Sequence, residues 1–132
     1  MTQPALSAAR RALVIRVAMA VGVATFLVVA WFISSRQTPT IAPEKLRALT
    51  TAMYVAVGAA AAVVMALRLR IASAQPAMRV ALAVVAWAVG EFAAIFGGVL
   101  LFLSGDWRLA LPGALVFAMS LVAVRGGAAD DA

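Results

Sequence analysis

Residues 80–103 read VALAVVAWAVGEFAAIFGGVLLFL, 24 residues in which Glu91 is the only charged side chain. As an α-helix rising 1.5 Å per residue the stretch is about 36 Å long, enough to cross a hydrocarbon layer of about 30 Å. Its apolar residues form a block and do not recur at spacings of two or 3.6, so no face is set aside for water. Pro76, four residues upstream, suits a helix's first turn, where its missing N–H costs nothing. Ser104-Gly105-Asp106 closes the block.

Three more apolar blocks flank it. Val17 to Ile33 follows the basic residues Arg10, Arg11 and Arg16. This has the look of a secretory leader, but Trp31-Phe32-Ile33-Ser34-Ser35-Arg36 offers no small-x-small cleavage site, so an uncleaved helix is expected. Ala48 to Leu67 is 20 uncharged residues, opened by Pro43 and Glu44 and closed by Arg68 and Arg70, charges that suit the two ends of a helix dipole. Ile71 to Gln75 is a connector short enough to make the second and third blocks an antiparallel hairpin. Leu109 to Val124 is 16 residues, about 24 Å of helix, with Trp107 and Arg125 as interfacial anchors.

Composition agrees with this reading. The 132 residues are 66% hydrophobic and 12% charged, with a mean hydropathy of +1.07, against about half apolar and a quarter charged in soluble domains. The expected fold is all-α: an integral membrane four-helix bundle, up-down-up-down, with helices at about 12–34, 43–70, 76–104 and 109–125. These form one domain, 12–125, after a cytoplasmic segment 1–11 and before a disordered cytoplasmic tail, 126–132. Placing the N-terminus inside puts seven arginines (10, 11, 16, 68, 70, 79 and 125) on the cytoplasmic side, against Arg36, Lys45, Arg47 and Arg108 outside. That bias predicts a multi-pass protein of the inner (plasma) membrane with both termini cytoplasmic.

The net charge of +6 comes from cations that flank apolar blocks and form no stripe interleaved with aromatics. They read as lipid-headgroup anchors, so membrane lipids are expected partners and nucleic acid is not. Cysteine and histidine are absent, which excludes disulfides, thiolate chemistry and the usual zinc and haem ligands. No metal or cofactor is expected. No pair of ionisable groups lies inside the blocks to act as nucleophile and base, so no catalytic residue and no enzymatic activity is expected.

Small residues mark the expected helix contacts. Gly58 and Ala62 lie in the second block, and Ala86, Gly90, Ala94 and Gly98 recur every four residues in the third. In lipid, small side chains at this spacing let helix backbones approach and gain dispersion energy. The stripes serve packing within the chain, or association with another copy or another membrane subunit.

Glu91 has 11 residues of its block before it and 12 after it. An ionised side chain at that depth costs about 2.5–3.5 kcal/mol even on the insertion scale. With no cation inside any block to pair with it, the side chain is expected to hold a proton. It is then either a reversible proton-binding site or a neutral acid that donates an interhelical hydrogen bond. Thr25 and Tyr54 are the candidate partners by depth.

Arg68-Leu69-Arg70, Gln75-Pro76 and Gly90-Glu91-Phe92-Ala93-Ala94-Ile95-Phe96-Gly97 together resemble the hairpin of the ATP-synthase subunit c, or proteolipid, family over residues 68–103. In that family a polar loop with Gln-Pro joins two helices, and the second helix holds an ion-carrying carboxylate. The resemblance implies that Glu91 matches that carboxylate and Gln75-Pro76 the cytoplasmic loop. Two functions are therefore expected. One is a non-enzymatic membrane protein that acts through helix association, as a homo-oligomer or as a subunit of a larger complex. The other is a proton-coupled transporter or channel component with Glu91 as the carrier.

Overall fold

The computed structural model describes the backbone of residues 3–125 and the side chains of 9–125. The tail 126–132, expected to be disordered, lies outside the described residues. Four α-helices follow in order: α1 Gln3–Ser34, α2 Pro43–Ser73, α3 Pro76–Ser104 and α4 Leu111–Ala123, the last entered through a single 3-10 turn at Trp107–Ala110. There is no strand among the described residues.

The breaks fall where local chemistry demands them. Pro43 and Pro76 open α2 and α3, and each forces the residue before it, Ala42 or Gln75, into extended backbone. Gly105 ends α3 in the left-handed conformation at φ +74° and donates its N–H to Leu101 O at 2.8 Å. Only glycine takes that cap without steric cost. Asp106 then starts the 3-10 turn by accepting the Arg108 N–H at 3.0 Å.

Helix bounds differ from the expected ones mainly where apolar blocks and helices are not the same thing. α1 is already helical at Gln3, the first described residue, instead of beginning near residue 12, because Ala5-Leu6-Ser7-Ala8-Ala9-Arg10-Arg11 consists mostly of good helix formers. α2 runs on to Ser73, and α4 starts at Leu111 and stops at Ala123, with Val124 extended.

Three helices are long and apolar enough to cross a membrane, at Ala9–Ser34, Pro43–Ser73 and Pro76–Ser104. The apolar helix Trp107–Ala123 is shorter, about 25 Å at 1.5 Å per residue. Long transmembrane helices and an outward-facing surface of Val14, Val21, Val28, Phe32, Val55, Phe92 and Leu115 make this a membrane-protein architecture, since such a surface is untenable in water.

α3 is the hub. Of its most apolar window 39% is buried, against 22% for α2 and 11% for α1. The other three helices pack on it and touch one another much less. On α2 the inward residues are Met53, Val57, Ala60, Val64 and Ile71, spaced by threes, fours and sevens. That is the seam of a supercoiled helix pair.

The buried clusters fix the register. At one end Ala12 of α1, Ile71 of α2, Ala83 and Trp87 of α3, and Val124 after α4 share one cluster. In the middle Val23, Ala94 and Phe117 meet. Towards the other end Ala30, Leu101 and Ala110 meet, and Met53 joins Leu100. α1 therefore runs parallel to α3, while α2 and α4 run antiparallel to it. The first of these ends carries Arg10, Arg11, Arg16, Arg68, Arg70, Arg79 and Arg125.

Candidate functional site

Three glycines of α3 are packed so tightly that each marks a helix crossing. A Cβ on Gly90 would lie 3.1 Å from Phe117 Cα, and one on Gly97 would lie 3.1 Å from Leu109 O and 3.2 Å from Ala110 Cα. Both face α4 and the turn before it. Gly98 faces α1, where an added Cβ would run into the Phe26 ring and Leu27. From the α4 side Gly113 sits against the α3 backbone, where a Cβ would collide with Ala93 O and come within 3.1 Å of Ala94 Cα. The seam is thus Gly90, Ala93, Ala94 and Gly97 on α3 against Ala110, Gly113, Phe117 and Ser120 on the other side.

Polar groups inside this seam are satisfied locally. Ser120 Oγ, fully buried, donates to Phe117 O at 2.6 Å. Trp87 is also fully buried, and its indole Nε1–H donates to Val124 O at 3.1 Å. That carbonyl belongs to the residue capping α4 and would otherwise lack an intrahelical partner. A side chain of α3 therefore caps α4.

Of the expected packing positions, Ala86, Gly90, Ala94 and Gly98 are all buried, as the four-residue spacing required. Gly58 and Ala62 are exposed, and nothing lies within 4 Å of a Cβ built on Gly58. The inward stripe of α2 contains Val57 and Ala60 instead, so its small outer face is left to the surroundings.

Glu91 lies near the middle of α3 and is half-buried. One turn away on one side are the buried Trp87 and Ala94, and on the other the exposed Ala88 and Ile95. The carboxyl group thus sits on the border between packed helix and open surface. Thr25 is exposed, on the side of α1 away from the inward Val23 and Ala30, and Tyr54 is 56% exposed on α2. The structure does not bring either hydroxyl to Glu91. Among the described residues no side chain or backbone group hydrogen-bonds the carboxyl group, and no three acidic, His or Cys residues gather to hold a metal ion.

Sequence reasoning missed the roles of Trp87 and Gly113. Gly113 has Leu109 and Phe117 four residues to either side, so no stripe of small residues marks it. Nothing in the sequence pairs Trp87 with a carbonyl 37 residues away. Comparison of the chain with protein-family models, curated proteins and solved structures finds no match.

Proposed function

We propose that the chain is a non-enzymatic plasma-membrane protein that crosses the bilayer four times, with both termini cytoplasmic. On this reading it works by helix association, as a homo-oligomer or as a small subunit of a larger membrane complex. The observation that carries the reading is Glu91: a half-buried carboxyl group on the edge of the central helix with no hydrogen-bond partner among the described residues. In hydrocarbon an unsatisfied polar group costs several kcal/mol, so a helix from outside the chain that supplies a donor or acceptor is favoured there. The orientation is supported by the gathering of seven arginines at one end of the bundle. The fourth crossing is short, and interfacial Trp107 and Arg125 with local thinning of the bilayer accommodate it.

A second reading has a specific observation in its favour. Because Glu91 stands at the border of the packed core and is not sealed in it, a second copy or another membrane subunit that brings a polar path to that face can exchange its proton, as a proton-carrying component requires. This agrees with the resemblance to the proteolipid hairpin.

One reconstitution separates the two. Glu91→Gln keeps an amide able to bond a neighbouring helix but carries no exchangeable charge, whereas Glu91→Leu removes both properties. Under the association reading Gln preserves the assembled mass and Leu lowers it. Under the carrier reading wild-type vesicles pass protons and both variants do not. An assembled mass unchanged by Leu would overturn the association reading.

A further inference from the structure

At the arginine-rich end, the last turns of α2 and α4 leave between them a cleft of about 520 Å³. Arg68 and Arg125 line it, above a floor that includes Ile71, Val122 and Val124. Both arginines are exposed, and neither makes a hydrogen bond or ion pair with any described residue. Three backbone carbonyls at this end accept from other side chains. Val124 O accepts from Trp87 Nε1, Ala74 O from Arg79 Nε at 3.1 Å, and Arg70 O from Ser73 Oγ at 3.2 Å. Neither Arg68 nor Arg125 is among those donors.

We propose that this cleft binds one anionic phospholipid, its phosphodiester held by Arg68 and Arg125 and its first acyl carbons lying on Ile71, Val122 and Val124. A guanidinium presents a planar fork of N–H donors that matches two phosphate oxygens, and two forks facing one cleft neutralise the headgroup charge. The apolar floor supplies what a free phosphate ion does not need and an acyl chain does. Location agrees: basic clefts between transmembrane helices at the cytoplasmic face are where anionic headgroups are held. The inference rests on the bilayer residence and orientation of the preceding section, and does not rest on association or on Glu91.

The test uses the full chain in nanodiscs made from phosphatidylcholine with a minor fraction of phosphatidylglycerol, with retained lipid read by native mass spectrometry. The wild-type chain is expected to retain phosphatidylglycerol over phosphatidylcholine. The double substitution Arg68→Gln with Arg125→Gln is expected to lower that retention about tenfold. Arg10→Gln with Arg11→Gln, an equal loss of charge from the same end but outside the cleft, is expected to change it less than twofold. Equal losses in the two double variants would reduce the effect to a diffuse surface charge and overturn the site.

Inorganic phosphate is the second arm, compared with sodium chloride at equal ionic strength. If phosphate displaces the lipid and chloride does not, the cleft belongs to a free anion and the lipid proposal fails. Flotation with pure phosphatidylcholine vesicles checks the underlying reading separately. A chain that does not float contradicts membrane residence, whereas one that floats but shows no preference between the lipids contradicts only the cleft. If the double variant does not fold, quenching of Trp87 by brominated phosphatidylglycerol in a Trp31→Phe, Trp107→Phe background decides. Stronger quenching than by brominated phosphatidylcholine supports the site, and equal quenching overturns it.

Discussion

Replacing Gly113 by alanine adds one methyl group at the closest approach of α3 and α4. The new Cβ would collide with the carbonyl oxygen of Ala93, and would stand 2.7 Å from Ala93 C and 3.1 Å from Ala94 Cα. All three are backbone atoms of the central helix, so no side chain can rotate away and the helices must separate. Separation also loosens the neighbouring contacts at Gly90 and Gly97, because those lie on the same seam. Overpacking a tight site by one methyl costs about 1–3 kcal/mol, and the shared seam places Gly113→Ala at the upper end of that range. Gly58→Ala is the matched control. Its Cβ meets nothing within 4 Å, so the variant gains helix propensity, about 0.5–1 kcal/mol, with no steric cost. The two single-methyl additions are therefore expected to differ by about 3 kcal/mol in opposite directions. Reversible unfolding in mixed micelles, followed by circular dichroism against the mole fraction of SDS, measures both. Equal stabilities for the two variants, or a Gly58→Ala less stable than Gly113→Ala, would refute the α3–α4 seam.

Four other outcomes are expected. Trp87→Phe removes the donor to Val124 O and leaves a void where the second ring of the indole stood, so it should cost at least about 1–2 kcal/mol and speed hydrogen exchange in the last turn of α4. Thr25→Val and Tyr54→Phe should each change stability by less than about 0.5 kcal/mol in the same unfolding assay, since both hydroxyls are exposed and neither bonds Glu91. Gly98→Leu should destabilise the chain by displacing Phe26 and Leu27, and should show first as increased protease sensitivity of α1, which is held almost wholly by α3. Single cysteines at Ser35, Ser73, Asp106 and Ala128 in the naturally cysteine-free chain should label in intact cells in the pattern outside, inside, outside, inside. Labelling of the Ala128 position from outside would show that the fourth helix does not cross.

Helix number and the identity of the α3 contact positions were legible because both depend on features written locally in the chain. Blocks of about 20 apolar residues set off by prolines and charges define the helices, and Ala86, Gly90, Ala94 and Gly98 repeat at the helical period. Helix α2 was misread for a physical reason. It is rich in alanine on every side, so size alone does not distinguish its inner face. The choice fell to Met53, Val57 and Val64, whose bulk fills the space beside α3, and it turned Gly58 and Ala62 outward. The surroundings of Glu91 were illegible in the same way. Depth along a helix can be counted from sequence, but rotation about the axis cannot, and rotation is what puts Thr25 on the far side of α1. The Trp87 cap joins residues 37 apart and has no local signature.

The claim that Glu91 marks the face met by another chain is tested most directly by placing a photoreactive amino acid at Ile95. That residue is exposed and one turn from Glu91 on the same helix. Irradiation in living cells is expected to give a discrete protein adduct, a dimer of this chain or a heterologous subunit. The same probe at Leu115, exposed on α4 away from Glu91, is expected to give none. If position 95 yields only unattached monomer or lipid adducts at native expression, no chain meets Glu91 and the association account is contradicted.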